Sequence, residues 1–201
     1  MNYPKEFNKL IEFYKSFPGI GEKNAERLAF STIEMKAEKL KSFADTISNI
    51  KDTIKLCKIC GSISDDDVCQ ICSDELRDNS IICVVEDYKN LFSFEKSSSY
   101  NGKYHVLGGL ISPMDDKNPD DLNISSLIDR IKDKDCKEVI IALTSSIEGE
   151  MTMLYLKELL SNYNVKVTRL SYGVPLGMNL DYMDVLSLNK ALEDRREIND
   201  N

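Results

Sequence analysis

Long apolar runs are missing from this sequence of 201 residues. Runs such as residues 81–85 are far shorter than the roughly 20 apolar residues that cross a bilayer. Met1 is followed by Asn2, Tyr3 and Pro4, and no apolar stretch of the kind found in secretory signals comes next. The sequence therefore predicts a protein that does not span a membrane and that resides in the cytoplasm.

Histidine is nearly absent as well, since His105 is the only one. A lone histidine on a predicted strand is more often a hydrogen-bonded structural residue than a general base. With a single histidine, no Ser–His–Asp or Cys–His arrangement can be argued. The glycine-containing stretches also do not match a P-loop. The sequence accordingly predicts neither a nucleophilic enzyme nor a small-molecule substrate.

An overall positive charge is also lacking, because the formal net charge is −8. This value argues against a protein that coats nucleic acid with its whole surface. The charge is unevenly spread, however. Residues 1–55 contain ten Lys and Arg against eight Asp and Glu, whereas the other 146 residues contain sixteen against twenty-six. The asymmetry fits a nucleic-acid contact in the N-terminal part and an acidic, protein-facing remainder.

Cysteine is present in a specific pattern. Cys57 and Cys60 form one C-x-x-C pair, and Cys69 and Cys72 form a second one after eight intervening residues. Each pair predicts a tight turn that directs two thiolates to one point, and two such turns complete the tetrahedron of a closed structural zinc site. Because about 18 residues are too few for an apolar core, metal binding would supply the folding energy of this segment. We therefore expect one structural Zn²⁺ per chain.

Disulfides or unpaired thiols are the alternative for these four cysteines. A cytoplasmic chain makes disulfides unfavourable, and paired C-x-x-C turns are specific for metal. The remaining two cysteines, Cys83 and Cys136, stand alone in apolar stretches and are expected to be small buried side chains.

The periodicity of apolar residues divides the chain into a helical part and an alternating part. Helical spacing is found near the N-terminus, and short β-branched runs alternate with helical patterns after the cysteines. Strands that alternate with helices predict an α/β fold with a parallel sheet. The predicted helices are 4–16, one from 22 onward, 36–53, 88–96, 123–133, 149–162 and 184–197; the predicted strands are 81–86, 104–107, 138–144 and 165–170.

A proline-glycine turn at residues 17–23 links the first two predicted helices. Gly19 and Gly21 permit positive φ and the close approach of another backbone. Backbone N–H groups at the start of the second helix could grip a phosphate. Lys23 and Arg27 are four residues apart, so they share one helix face and could flank the same nucleic-acid backbone without reading its sequence.

An ordinary packing element is the alternative for this turn. In that case Lys23 and Arg27 are simply solvated charges, and Glu22 and Glu26 dilute the positive face. The motif alone leaves both possibilities open.

Three glutamates follow predicted strands of the alternating part. Glu86 ends the first strand, and Glu148 and Glu150 follow the run at 138–144. Carboxylates at the carboxyl edge of a parallel sheet could hold Mg²⁺ for phosphoryl transfer. Glu148 and Glu150 could equally stabilise the first turn of a helix through its dipole.

The order of these motifs resembles that of the bacterial recombination mediator family RecR, over nearly the whole chain. The family combines a helix-hairpin-helix, a four-cysteine zinc module, a Toprim domain (the α/β fold shared with topoisomerases and primases) and a C-terminal assembly segment. By this resemblance the modules span 1–54, 55–78, 79–175 and 176–201. The residues that carry the resemblance are 17–30, the four cysteines, 104–113 (YHVLGGLISP), 148–150 (EGE) and 172–177 (YGVPLG).

The resemblance implies a DNA-repair mediator that is not an enzyme. Such proteins form rings, usually tetramers, around DNA and act with RecO and RecF to load RecA at single-strand gaps. Glu86, Glu148 and Glu150 would then form the acidic face that contacts RecO. Catalytic Toprim enzymes have an Asp-x-Asp pair where this chain reads TSSI at 144–147. A Mg²⁺-dependent Toprim nuclease or phosphotransferase is the alternative.

Overall fold

The computed structural model describes residues 3–132 and 136–197. The chain forms two compact units, Met1–Ile54 and Lys55–Asn201. Residues 1–2 and 198–201, the outer ends of the predicted first and last modules, lie outside the described residues, as does residue 133 of the predicted helix 123–133. No helix in the described ranges is both long and apolar enough to cross a membrane.

The first unit consists of three helices, all at the predicted places. They are α1 (Lys5–Lys15), α2 (Glu22–Ile33) and α3 (Ala37–Thr53). The first two pack through Phe7 and Ile11 against Ala25 and Ala29, whose small side chains allow the helices to approach closely. By contrast, α3 buries none of its own residues, all of which are described. This unit therefore has a small core confined to α1 and α2.

The second unit begins with the cysteine-rich segment. A two-residue antiparallel hairpin pairs β1 (Lys55–Leu56) with β2 (Ile63–Ser64), and the four-residue helix α4 (Gln70–Ser73) follows. The sequence pattern did not predict these short elements, because they are too short to show periodicity.

A four-stranded parallel sheet follows, with the order β4-β3-β5-β6. The predicted α/β class is confirmed. The strands are β3 (Asp78–Val85), β4 (Gly102–Val106), β5 (Glu138–Ala142) and β6 (Lys166–Arg169), and the helices between them are α5 (Tyr88–Ser97), α6 (Ile124–Lys132) and α7 (Ile147–Leu160).

The sheet is buried on both faces, which explains its β-branched runs. Ile82 and Val84 of β3 belong to the core cluster that contains residues of α6 and α7. Cys83 and Val85 lie in a second cluster, which contains Leu91 of α5. This alternation follows from the two-residue period of a strand. Cys83 and Cys136 are both buried, as predicted.

The edge strand β4 is covered by the cysteine-rich segment. All five of its residues are buried, although among the described strands β4 pairs only with β3. The Val106 N–H, on the unpaired side of the strand, donates to the carbonyl of Cys60 at 2.7 Å. A Cβ at Gly61 would lie 3.0 Å from the carbonyl oxygen of Val106, so glycine permits this approach. The segment thus satisfies backbone groups that an open sheet edge would leave exposed.

The C-terminal helix α8 (Val185–Glu193) is attached to the carboxyl edge of the sheet by charges. Lys190 Nζ lies 2.7 Å from Glu150 Oε1, and Arg169 pairs with Asp194 at 2.5 Å. The ring of Tyr172 contacts both cations, with its centroid 4.5 Å from Arg169 Cζ and 4.3 Å from Lys190 Nζ. Asp194 also accepts from the backbone N–H of Tyr172 at 2.8 Å.

Replacing Glu150 by Gln is expected to loosen α8. The hydrogen bond from Lys190 lowers the pKa of Glu150 below its ordinary value of 4.5, and the hydrogen bond from Tyr172 adds to this effect. The ion pair therefore contributes at neutral pH and is lost as pH falls through this lowered pKa. Because the pair is partly exposed, hydrogen-exchange protection of α8 amides should fall only about 1.5- to 5-fold at neutral pH.

The matched control is Glu158→Gln, which removes an exposed carboxylate from the same helix α7. It should leave the exchange of α8 unchanged. Equal protection of α8 in wild-type protein and in the Glu150→Gln variant would show that this ion pair does not hold the helix.

Candidate metal centre and nucleic-acid interface

The four predicted cysteine ligands converge. The Sγ atoms of Cys57, Cys60, Cys69 and Cys72 all lie within 4.8 Å of one another. The Cys60 and Cys69 sulfurs are 3.6 Å apart. A tetrahedron with Zn–S bonds of about 2.3 Å requires sulfurs about 3.8 Å apart. Among the described residues this is the only group of three or more Cys, His, Asp or Glu side chains that could hold a metal ion.

Backbone turns hold the sulfurs in place. In the first pair the chain turns back at Gly61, whose φ of +74° favours glycine, and its N–H donates to the carbonyl of Cys57 at 2.9 Å. In the second pair the turn is the helix α4, in which the Ser73 N–H donates to the carbonyl of Cys69. The Cys69 N–H also donates to the Cys57 sulfur at 3.3 Å, which links the two turns.

The chemistry of the cluster fits a divalent cation. A hydrogen bond from Cys60 lowers the pKa of the Cys69 thiol, and the same bond raises the pKa of Cys60. Hydrogen bonding to Cys60 also raises the pKa of Cys72. Sulfurs this close share protons because adjacent thiolates repel each other. A cation at their centre replaces those protons and lets all four ionise. The residues therefore fit zinc held by four thiolates.

The predicted phosphate-binding turn lies between α1 and α2. Gly19 has a φ of +80°, and Gly21 is the N-cap residue of α2. No side chain caps this helix N-terminus, so its first N–H groups lack a side-chain acceptor. A Cβ at Gly19 or Gly21 would meet nothing within 4 Å, so the space beside the turn is open. The turn can thus be approached closely by another backbone.

Both predicted basic residues lie on α2 beside this turn. Neither Lys23 nor Arg27 forms an ion pair with any residue in the described ranges. Glu22, which was expected to dilute the positive face, pairs instead with Lys15 of α1 at 2.8 Å. The charge of Glu22 is therefore partly neutralised by a residue outside α2.

The three predicted glutamates lie at the carboxyl edge of the sheet, where Glu86 and Glu150 make local side-chain contacts. Glu86 follows β3 and accepts from Thr144 Oγ1 at 2.7 Å. Glu148 and Glu150 lie in the first turn of α7, as expected for carboxylates near a helix N-terminus. This turn packs closely on the segment that follows β5, since a Cβ at Gly149 would lie 1.9 Å from the Thr144 carbonyl oxygen. Within the described residues these three carboxylates do not lie close enough together to hold a metal ion.

His105 is structural, as predicted. It is fully buried on β4, its Nε2 lies 2.6 Å from the carbonyl oxygen of Asn123, and its Nδ1 lies 3.3 Å from Arg130 Nη1. Burial lowers the pKa of His105 to about 4, so the ring stays neutral at neutral pH. It donates to Asn123 and accepts from Arg130.

Lys103 was missed by sequence reasoning. It lies on β4 with only 5% of its surface exposed, yet the predicted strand began one residue later, at 104. Its ammonium donates to the carbonyls of Ile71, Cys72 and Asp74 at 2.9, 3.1 and 2.6 Å. The sequence showed only a lysine directly before an apolar strand. A lysine at the exposed start of a strand gives the same pattern, so its burial could not be predicted.

Comparisons with protein families match every part of this arrangement. A Toprim domain matches residues 80–171. Three further matches are to the RecR helix-hairpin-helix at 7–51, the RecR four-cysteine zinc finger domain at 54–74 and the RecR C-terminal region at 173–196.

Curated relatives are similar over the full length. Recombination protein RecR of Enterococcus faecalis is 49% identical over 98% of this chain and 100% of its own. Recombination protein RecR of Staphylococcus haemolyticus is 46% identical over 98% of this chain and 100% of its own. Recombination protein RecR of Finegoldia magna is 50% identical over 98% of this chain and 98% of its own. With these identities and the four domain matches, the chain belongs to the RecR family of recombination proteins.

Proposed function

We propose that this protein is a recombination mediator that binds DNA without sequence specificity. Its relatives are named recombination proteins, and its N-terminal unit matches the helix-hairpin-helix of that family. The observation that carries the proposal is the α2 N-terminus, which is open and uncapped. Beside it lie the cations Lys23 and Arg27, which have no ion-pair partner among the described residues.

The DNA contact would be made to phosphates. The helix dipole and the free N–H groups of α2 favour an anion at this end. Gly19 and Gly21 leave open space through which a phosphate can reach these N–H groups. Lys23 and Arg27, one helical turn apart on α2, would contact the backbone of the same strand. Because all of these contacts go to the backbone, the affinity would be salt-sensitive and indifferent to sequence.

A tetrameric ring would reconcile this contact with the net charge of −8. Four copies of Lys23 and Arg27 gathered at one opening make a local positive field that one copy cannot provide. Exposed apolar side chains support self-association. They occur on α3 at helical spacing and again near the C-terminus: Phe43, Ile47, Ile50, Leu176, Val185 and Leu186.

The carboxyl edge of the sheet would serve partner proteins. In this proposal Glu86 and Glu148 form the acidic face that docks RecO, and RecF joins to load RecA at single-strand gaps. Glu150 contributes less, because its carboxylate is already paired with Lys190. The protein would act in the cytoplasm with one structural Zn²⁺ per chain and without a small-molecule substrate.

Catalysis is not part of the proposed function. The positions at which catalytic Toprim enzymes have paired aspartates are Thr144, Ser145 and Ser146, whose hydroxyls bind Mg²⁺ weakly. DNA cleavage by purified protein with Mg²⁺, abolished by Glu86→Gln, would instead support the nuclease alternative.

Reversing both charges beside the turn tests the DNA contact. The double variant Lys23→Glu, Arg27→Glu is expected to bind duplex DNA at least about tenfold more weakly at low salt. The slope of log affinity against log salt should decrease by about 0.9 for each phosphate that the variant no longer neutralises. Fluorescence anisotropy with two unrelated duplexes measures both quantities.

The matched control is Lys39→Glu with Lys41→Glu, which makes the same charge change at exposed positions of α3. It should retain most of the affinity. If the two double variants weaken binding equally, net charge rather than the turn governs binding, and the proposed site is wrong.

The ring is tested by mass in solution. Light scattering of the purified chain is expected to give about four times the 22.8 kDa of one chain. A stable monomer at micromolar concentration, with or without DNA, would contradict the ring.

A further inference from the structure

Lys103 is a buried cation without a carboxylate. Its side chain is nearly enclosed, and none of the ion pairs among the described residues includes it. Its three acceptors are carbonyl oxygens of Ile71, Cys72 and Asp74, in and just after α4. A buried ammonium is costly unless its hydrogen bonds are satisfied and a negative charge lies nearby. The carbonyls provide the hydrogen bonds but carry no net negative charge.

A metal held by the four cysteines would supply a negative charge. Four thiolates around one divalent cation leave an excess of two negative charges. One of the Lys103 acceptors is the carbonyl of Cys72, which is itself one of the four cysteines. The ammonium therefore lies at the backbone of the turn that presents Cys69 and Cys72. We infer that Lys103 positions this turn for metal binding and is the buried counter-charge of the zinc tetrathiolate.

Because Lys103 lies on β4, it links the cysteine turn to the sheet. Toward the start of β4, Lys103 holds the second cysteine turn, and at the end of the strand Val106 N–H holds the carbonyl of Cys60 in the first. Both turns are therefore anchored on one strand. Loss of the metal would leave the ammonium buried without its acceptors and its counter-charge, and this end of β4 would have to open. Metal binding and the order of the sheet edge are coupled through this residue.

The test is the rate of zinc release from the full chain. After the metal content of wild-type protein is measured, release to excess chelator is followed with a coloured zinc indicator. Lys103→Met keeps much of the apolar stem and removes the ammonium. It is expected to release zinc about 10- to 100-fold faster, the range typical for loss of a group that supports metal ligands.

The matched control is Lys58→Met, which removes a lysine next to Cys57. The Lys58 side chain is 72% exposed, and its ion-pair partner among the described residues is Asp67. Because water screens it, zinc release should stay within about twofold of wild type. Equal release rates for Lys103→Met and wild type would overturn the inference, and so would equal acceleration by both variants.

A second measurement covers the case in which Lys103→Met does not fold. Hydrogen exchange of wild-type protein is compared with and without bound zinc. Stripping the metal is expected to accelerate exchange at Tyr104, His105 and Val106 of β4 more than at β5. If β4 amides keep their protection after the metal is removed, metal and strand are independent, and the inference fails. Neither measurement involves DNA, so both outcomes are separate from those of the proposed function.

Discussion

The four cysteine sulfurs of the second unit converge on one point, beside the strand that their segment covers. The segment between Cys57 and Cys72 has little apolar material, and its buried residues are largely the cysteines themselves. Without a cation, adjacent thiolates repel each other and the two turns have little reason to close. With a cation at their centre, the two turns form a compact body that lies along β4 and accepts a hydrogen bond from the backbone at its unpaired edge. A metal held there would thus act on the sheet edge as well as on its own ligands.

The distribution of charge connects this framework to function. The acidic excess lies after residue 55, and at the edge of the sheet Glu86 accepts from Thr144 while Glu150 pairs with Lys190 of α8. The basic residues of the helix-hairpin-helix lie in the other unit, beside an uncapped helix end. Under the proposed function, one chain would present a small DNA-binding surface in an acidic protein. The proposed self-association would multiply that surface without changing the net charge per chain.

Much of this arrangement could be predicted from the sequence, and the reasons are physical. The three helices of the first unit and the strands and helices of the sheet follow from periodicity, because each element buries one or two faces. Paired C-x-x-C turns predicted the convergence of Cys57, Cys60, Cys69 and Cys72, because each turn brings its two thiols together. His105 was predicted as structural because it had no catalytic neighbour in the sequence.

Contacts between residues distant in sequence could not be predicted in the same way. The bond from Lys103 to Cys72 spans 31 residues, and the pair of Lys190 with Glu150 spans 40. Neither leaves a periodic signal, and a lysine at the start of a strand ordinarily faces water. The hairpin β1–β2 was also missed, since two-residue strands are defined by the turn that joins them. Such contacts become visible only in three dimensions.

If a metal held by four thiolates organises the second unit, freshly purified and folded protein should contain zinc. Elemental analysis measures this, with Cys69→Ser, Cys72→Ser as the ligand variant and Cys83→Ser as the buried-cysteine control. We expect one zinc per chain in wild-type protein and in the control, and far less in the ligand variant. Folded wild-type protein without stoichiometric metal would show that the four cysteines do not organise this unit through a metal.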